Sequence, residues 1–363
     1  MKGILQRTNQ YLLFGILITI ALYYGKTVLV PIFFGIMLAM LMTPVCRALD
    51  KKGLNRAASC AVCVLILFVG LVGILGIVVA EVKSFTKDMA LIEEKGKEAV
   101  STIQTFIEDR FHIEPQQQAT LAKKQVDTMS SSAGTYIGMI FGGIAATIGG
   151  ILLTLAYTFL FLYNKERYET FFIRLYKEQD PRKVQEVVGQ ISHVSQQYLT
   201  GRALSVAMLT VLYAIGLLII GIKNAILLSA IAALLTVVPY IGSAVGGMFP
   251  FAMALVTEDS IQPALWVIGV IVFIQTIDNY FIEPRMVGGE VNLSALVSIL
   301  SIIVGGLIWG VSGMILFLPM LGIAKIVFDH VDSLKPYGYL IGDPDENKSL
   351  TISQWIAQRF KRN

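Results

Sequence analysis

From Ala225 to Val256 the chain runs 32 residues without a charged side chain. A helix needs about 20 apolar residues to cross a bilayer once, so this run is too long for one straight crossing and too short for two. The chain has to break inside it. The break is expected between Leu234 and Pro250, LLTVVPYIGSAVGGMFP, where Pro239 removes a backbone donor and Gly242, Gly246 and Gly247 leave the backbone unshielded. Irregular backbone at membrane depth persists only where protein or a water-filled cavity satisfies its polar groups. Pro239, Tyr240, Gly242, Ser243, Gly246 and Gly247 are therefore candidates to line a route for a solute.

A second overlong apolar run, Leu293 to Val327, poses the same problem. Gly305, Gly306, Gly310 and Gly313 interrupt it, with Trp309 and Ser312 among them and Pro319 further on, so a helix that turns back or unwinds is expected here too. Between the two runs lies a span, Pro263 to Phe281, that contains Gln275, Asp278 and Asn279 and leads into Glu283, Pro284 and Arg285; Asn292 then precedes the second run. By helical spacing Gln275, Asp278 and Asn279 share one face. An acid inside a bilayer is costly and usually faces a cavity or a partner charge, which makes Asp278 the leading functional candidate in the chain. The competing structural reading pairs Asp278 or Glu283 with Arg285 to fix the helix end without touching a solute. Two interrupted segments flanking a polar helix form the pattern that marks binding sites in secondary transporters, where half-helix ends present free amides or carbonyls.

Composition agrees with a membrane protein: 55% of residues are hydrophobic and 15% charged, with a mean hydropathy of +0.69. The net charge of +4 is too mild to suggest a nucleic-acid partner. No GxxxxGK[ST], HExxH or GxSxG string occurs, so neither an ATP-binding module nor a familiar hydrolase is encoded, and no cofactor is implied. Cys60-Ala-Val-Cys63 has CxxC spacing but opens a spanning segment; with Cys46, these cysteines read as small buried apolar residues rather than a metal or redox site. His112, His193 and His330 are isolated.

In chain order, residues 1–80 hold three spans, Tyr11 to Tyr24, Val28 to Val45 and Ala57 to Ala80; the basic loop of Arg47, Lys51, Lys52 and Arg56 places the N-terminus in the cytoplasm. Residues 81–135 are polar, with nine acids against seven bases from Glu81 to Ser132, which suits an extracytoplasmic helical region. Its apolar positions from Val82 to Phe106 alternate by three and four, the seam of a helix that folds on a neighbour or on another subunit. A Gly-rich span, 136–163, and a basic cytoplasmic stretch, 164–202, follow. Within the latter, Asp180-Pro181 starts a helix whose stripe from Val184 to Tyr198 suits the membrane surface. A transport core is expected over 203–328, with breaks in 225–256 and 293–327, and a cytoplasmic tail over 329–363, including a short amphipathic helix from Leu350 to Phe360. The expected fold is an all-α polytopic membrane protein with about 6 full spans and two broken or re-entrant hairpins.

The series Tyr198-Leu-Thr-Gly201-Arg202, Val238-Pro239-Tyr240-Ile241-Gly242 with Gly246, then Asn279, Glu283-Pro284-Arg285, Gly305-Gly306, Gly310, Gly313 and Leu318-Pro319 resembles the autoinducer-2 exporter family of membrane permeases. The resemblance implies a bacterial inner-membrane transporter with about eight nominal spans and a homo-oligomeric state, while the charge balance places both termini in the cytoplasm. Family members are associated with export of the furanone signal autoinducer-2, others with sodium or lithium exchange against protons. Members commonly carry a His-Pro pair where this chain has Asn292-Leu293-Ser294-Ala295, so no role of that histidine transfers. The leading expectation is a permease for a small polar solute. The alternatives are a cation/proton antiporter, in which Asp278 or Glu283 would exchange a proton for sodium, and a membrane scaffold without transport.

Overall fold

The computed structural model describes residues 2–87, 148–175, 181–239, 241–257, 260, 262–286 and 292–343. Tyr240, the helical region expected beyond residue 87 and the Leu350 to Phe360 helix lie outside the described residues. Within them the chain is built from α-helices: α1 (Lys2–Tyr24), α2 (Lys26–Lys51), α3 (Arg56–Lys87), α4 (Ile148–Tyr163), α5 (Lys165–Leu175), α6 (Pro181–Ile220), α7 (Ala225–Leu235), α8 (Ile241–Thr257), α9 (Gln262–Ile277), a π-helical segment (Asp278–Ile282), α10 (Glu283–Met286), α11 (Ala295–Trp309), α12 (Val311–His330) and α13 (Lys335–Ile341). Among the described residues five helices are long and apolar enough to cross a membrane, or six if α4 and α5 count as one bent span. The chain is thus an all-α polytopic membrane protein.

Contacts divide the chain into two compact units. One comprises Met1–Pro44, Phe161–Gly201 and Pro284–Asn363, the other Val45–Leu160 and Arg202–Glu283.

In the Arg202–Glu283 segment of the second unit, the apolar run from Ala225 to Val256 breaks at Thr236 to Pro239. The Thr236 hydroxyl donates to the Ala233 carbonyl at 2.6 Å, and Val237 and Val238 close tight turns onto Leu234 and Leu235. The chain then reverses. A Cβ on Gly242 would fall onto the Leu235 carbonyl, and one on Gly246 would lie 2.8 Å from the Ala232 carbonyl. These paired approaches, one advancing as the other retreats, define an antiparallel hairpin of α7 and α8 held by glycine. Its base is a dry core of Leu217, Ile222, Ala225, Leu228, Met253, Ala254, Ala264 and Val267.

In the other unit, α11 and α12 form a second hairpin that turns at Gly310, whose φ of 62° and ψ of −141° only glycine adopts readily. Gly305 and Gly313 bring the two backbones together just below the turn. At the tip, the Trp309 indole N–H donates to the Leu22 carbonyl at 2.9 Å, and its ring lies against Phe33 and edge-on to Phe317.

Three expectations need correction. Pro319 does not interrupt the second run, since α12 continues through it; a membrane helix absorbs one lost donor when neighbouring groups satisfy the freed carbonyl. Nor do a surface helix and a separate span meet at Arg202. Pro181–Ile220 is one helix of 40 residues, about 60 Å long, because Gly201 alone does not stop a helix whose buried stripe carries on. That stripe is Tyr198, Gly201, Ser205, Leu209, Tyr213 and Leu217, spaced by threes and fours. The basic loop after the second span is likewise shorter than expected: Arg47 and Lys51 sit on the last turns of α2.

Candidate functional site

The second half of α6 runs antiparallel to α9 and the π-helical segment, and the polar groups of both line up along the seam. Gly216, without a side chain, makes room for Val270. One step along, the Tyr213 hydroxyl donates to Gln275 Oε1 at 3.3 Å, and Gln275 Nε2 donates to Asn279 Oδ1 at 3.2 Å. Next, the Ser205 hydroxyl donates to Asp278 Oδ1 at 3.5 Å. At the end, Arg202 and Glu283 form a loose ion pair at 3.9 Å. A hydroxyl, an amide, a carboxylate and an ion pair thus form a ladder between two apolar helices.

Asp278 is the most enclosed acid of this ladder, with 3% of its surface exposed. Burying a carboxylate in apolar surroundings is unfavourable unless donors face it, and the weak bond from Ser205 is little compensation. The backbone there is unusual too. The Glu283 amide returns to the Asp278 carbonyl, five residues back instead of four. Pro284 explains the winding, because it has no amide to offer the carbonyl of Tyr280, as an α-helix would require. Short π segments inside α-helices are often found at functional sites.

The sequence face of Gln275, Asp278 and Asn279 is only partly kept. Asp278 is buried toward α6, Gln275 is half-buried and Asn279 is exposed, joined to the others through Gln275. Pro239, Gly242, Ser243, Gly246 and Gly247 belong to the α7–α8 hairpin of the same unit, and Gly247 packs against Ile271 of α9. Pro284, Arg285, Asn292, Gly305, Gly306, Gly310, Ser312 and Gly313 belong to the other unit, the last five at the α11–α12 turn. Sequence reasoning missed Ser205 and Tyr213, and placed Arg202 at the end of the basic cytoplasmic stretch. The signal was present: Ser205 and Tyr213 fall on the stripe of α6 otherwise filled by Tyr198, Gly201, Leu209 and Leu217.

A family model described as AI-2E family transporter matches residues 12–333. The chain belongs to the AI-2E transporter family. The family spans almost the whole length, including both hairpins and the polar ladder. Among its relatives, YhhT of Escherichia coli (strain K12) is 20% identical over 338 residues, covering 92% of this chain and 93% of that protein. YrrI of Bacillus subtilis (strain 168) is 22% identical over 313 residues, covering 84% and 87%. The AI-2 transport protein TqsA of Escherichia coli (strain K12) is 29% identical over 161 residues, covering 44% of this chain and 45% of TqsA. An AI-2E chain with several spanning helices is a membrane transporter, so the polar ladder belongs to a protein that moves something across lipid.

Proposed function

We propose that the chain is a secondary transporter of a small polar solute in a bacterial inner membrane, and that the α6–α9 ladder is where the solute is handled. The observation that carries the reading is Asp278, a carboxylate enclosed between two apolar helices on a π-helical segment. A group so costly to bury is kept where its chemistry is used. Gln275, Asn279, Tyr213 and Ser205 supply amides and hydroxyls beside it, suited to a solute rich in hydroxyl groups. The local similarity to the AI-2 transport protein TqsA makes autoinducer-2 the first solute to test.

The test uses the full chain in vesicles loaded with autoinducer-2. Wild-type protein should release it faster than empty vesicles, and Asp278→Asn, nearly the same size and without the charge, should lower that flux at least tenfold at equal insertion. Flux through Asp278→Asn equal to wild type would remove Asp278 from the route. No autoinducer-2 flux in wild type, with flux of another hydroxylated solute that depends on Asp278, would keep the site and change the cargo.

A further inference from the structure

Lys325 lies within the apolar helix α12 yet has only 8% of its surface exposed, and the ladder makes no use of it. Its ammonium donates to Asp329 Oδ2 at 2.7 Å, one turn further on. Asp329 keeps 39% of its side chain exposed, and α13 with the residue after it lies over the Lys325 end of the pair. A Cβ on Gly338 would run into Asp329 Oδ1, and one on Gly342 would come within 2.9 Å of Lys325 Cε. Two glycines four residues apart thus face a base and an acid four residues apart, in antiparallel order. A Gly-x-x-x-Gly face ordinarily lets a second helix backbone approach; here it seats an ion pair.

Past this seat the chain pairs with the start of the other arm of the hairpin. Leu293 and Gly342 form an antiparallel bridge, in which the Ser294 amide donates to Ile341 at 3.0 Å and the Asp343 amide to Asn292 at 3.3 Å. Helix α13 therefore ties the end of α12 to the beginning of α11, across the base of the hairpin. Its hold is slight beside that of the hairpin itself, whose arms pack closely through Gly305 and Gly313. Of its outer face, Tyr339 at 86% and Leu340 at 74% exposure stand away from the hairpin, and Tyr337 adds one tilted ring contact, 6.3 Å between centroids, with Phe328 of α12. Segments with few buried contacts open at lower free energy than the core they cover.

We propose that α13 is a releasable strap that shuts the base of the α11–α12 hairpin over the Lys325 ammonium, and that it lifts during transport. The second clause rests on the transport reading given above. The lifted strap uncovers an ammonium group at the end of a membrane helix, where it can meet water or an anion.

Two measurements test the strap, and only one needs flux. Hydrogen exchange on the unmodified protein reads the Ser294 and Asp343 amides. They should exchange together, at least tenfold faster than the Leu316 amide in the hairpin core, and faster still in Gly338→Leu, whose side chain displaces the strap from Asp329. Protection equal to that of Leu316 would show a fixed structural brace and overturn the proposal whether or not the protein transports. The second measurement locks the strap with a disulfide between Asn292→Cys and Asp343→Cys, which face each other across the bridge. The oxidised protein should lose at least tenfold of its autoinducer-2 flux and recover it on reduction, while each single cysteine variant is unaffected by the oxidant. Undiminished flux with the crosslink complete would overturn the lifting step. Absence of flux in the unmodified protein would count against the transport reading and leave the exchange result to decide the strap.

Discussion

Gly310 and Gly242 are the positions where one methyl group should matter most, for different reasons. At Gly310 the backbone occupies a region closed to L-residues, so Gly310→Ala should cost about 1–3 kcal/mol through strain alone. At Gly242 the backbone is ordinary and the space is not: a Cβ would meet the Leu235 carbonyl. Overpacking of that kind costs about 1–3 kcal/mol and moves backbone. Thermal unfolding in detergent should place both variants below wild type, whereas Gly269→Ala, with open space around its Cβ position, should stay within about 0.5 kcal/mol of it. Wild-type stability for Gly242→Ala would mean that the α7–α8 hairpin is looser than its glycines imply. Asp278 belongs to the same scale but to function, since the charge and not the volume is what sets it apart.

Among the elements, the π-helical segment invites the sharpest test. If Pro284 imposes the five-residue winding by withholding an amide, Pro284→Ala should let Asp278–Ile282 rewind as α-helix and rotate Glu283 away from Arg202. The Arg202–Glu283 pair, 3.9 Å apart at its tips, should then show a coupling energy between Arg202→Ala and Glu283→Ala with Pro284 present and none with alanine there, and solute flux should fall severalfold in Pro284→Ala. Equal coupling in both backgrounds would show that packing against α6, not the proline, sets the winding. The segment also marks the limit of what the residues revealed on their own. The breaks near Pro239 and at Gly310 were legible because run length and local chemistry agreed. Pro319 misled because a lone proline in a membrane helix is tolerated, as Pro31, Pro44 and Pro250 are in this chain. Ser205, Tyr213 and Arg202 stayed hidden because their partners lie 62 to 81 positions away (Gln275 − Tyr213 = 62, Glu283 − Arg202 = 81). Lys325 stayed hidden because only α13, folded back, shows what covers it.

For the molecule as a whole, helix length constrains how each hairpin can meet the bilayer. Helix α7, with 11 residues, is about 16 Å long and cannot cross a hydrocarbon core of about 30 Å. Because α8 runs back beside it, Lys223 before α7 and Thr257 at the end of α8 lie at the same end of the hairpin, with the Thr236 to Pro239 turn at the other. The positive-inside rule, applied to the basic residues around Arg56 and Arg182, leads to the expectation that this end is outside the cytoplasm. Lys223→Cys and Thr257→Cys should therefore both react with a membrane-impermeant maleimide added outside intact cells. The same rule leads to the expectation of a cytoplasmic open end for the α11–α12 hairpin, with Asn292→Cys and His330→Cys reacting only after the membrane is opened. Labelling of Lys223→Cys and Thr257→Cys from opposite sides would make α8 a crossing helix. The turn at Pro239 would then be a kink near one surface, and the α7–α8 hairpin would lose its claim to carry irregular backbone into the bilayer, where a solute route needs it.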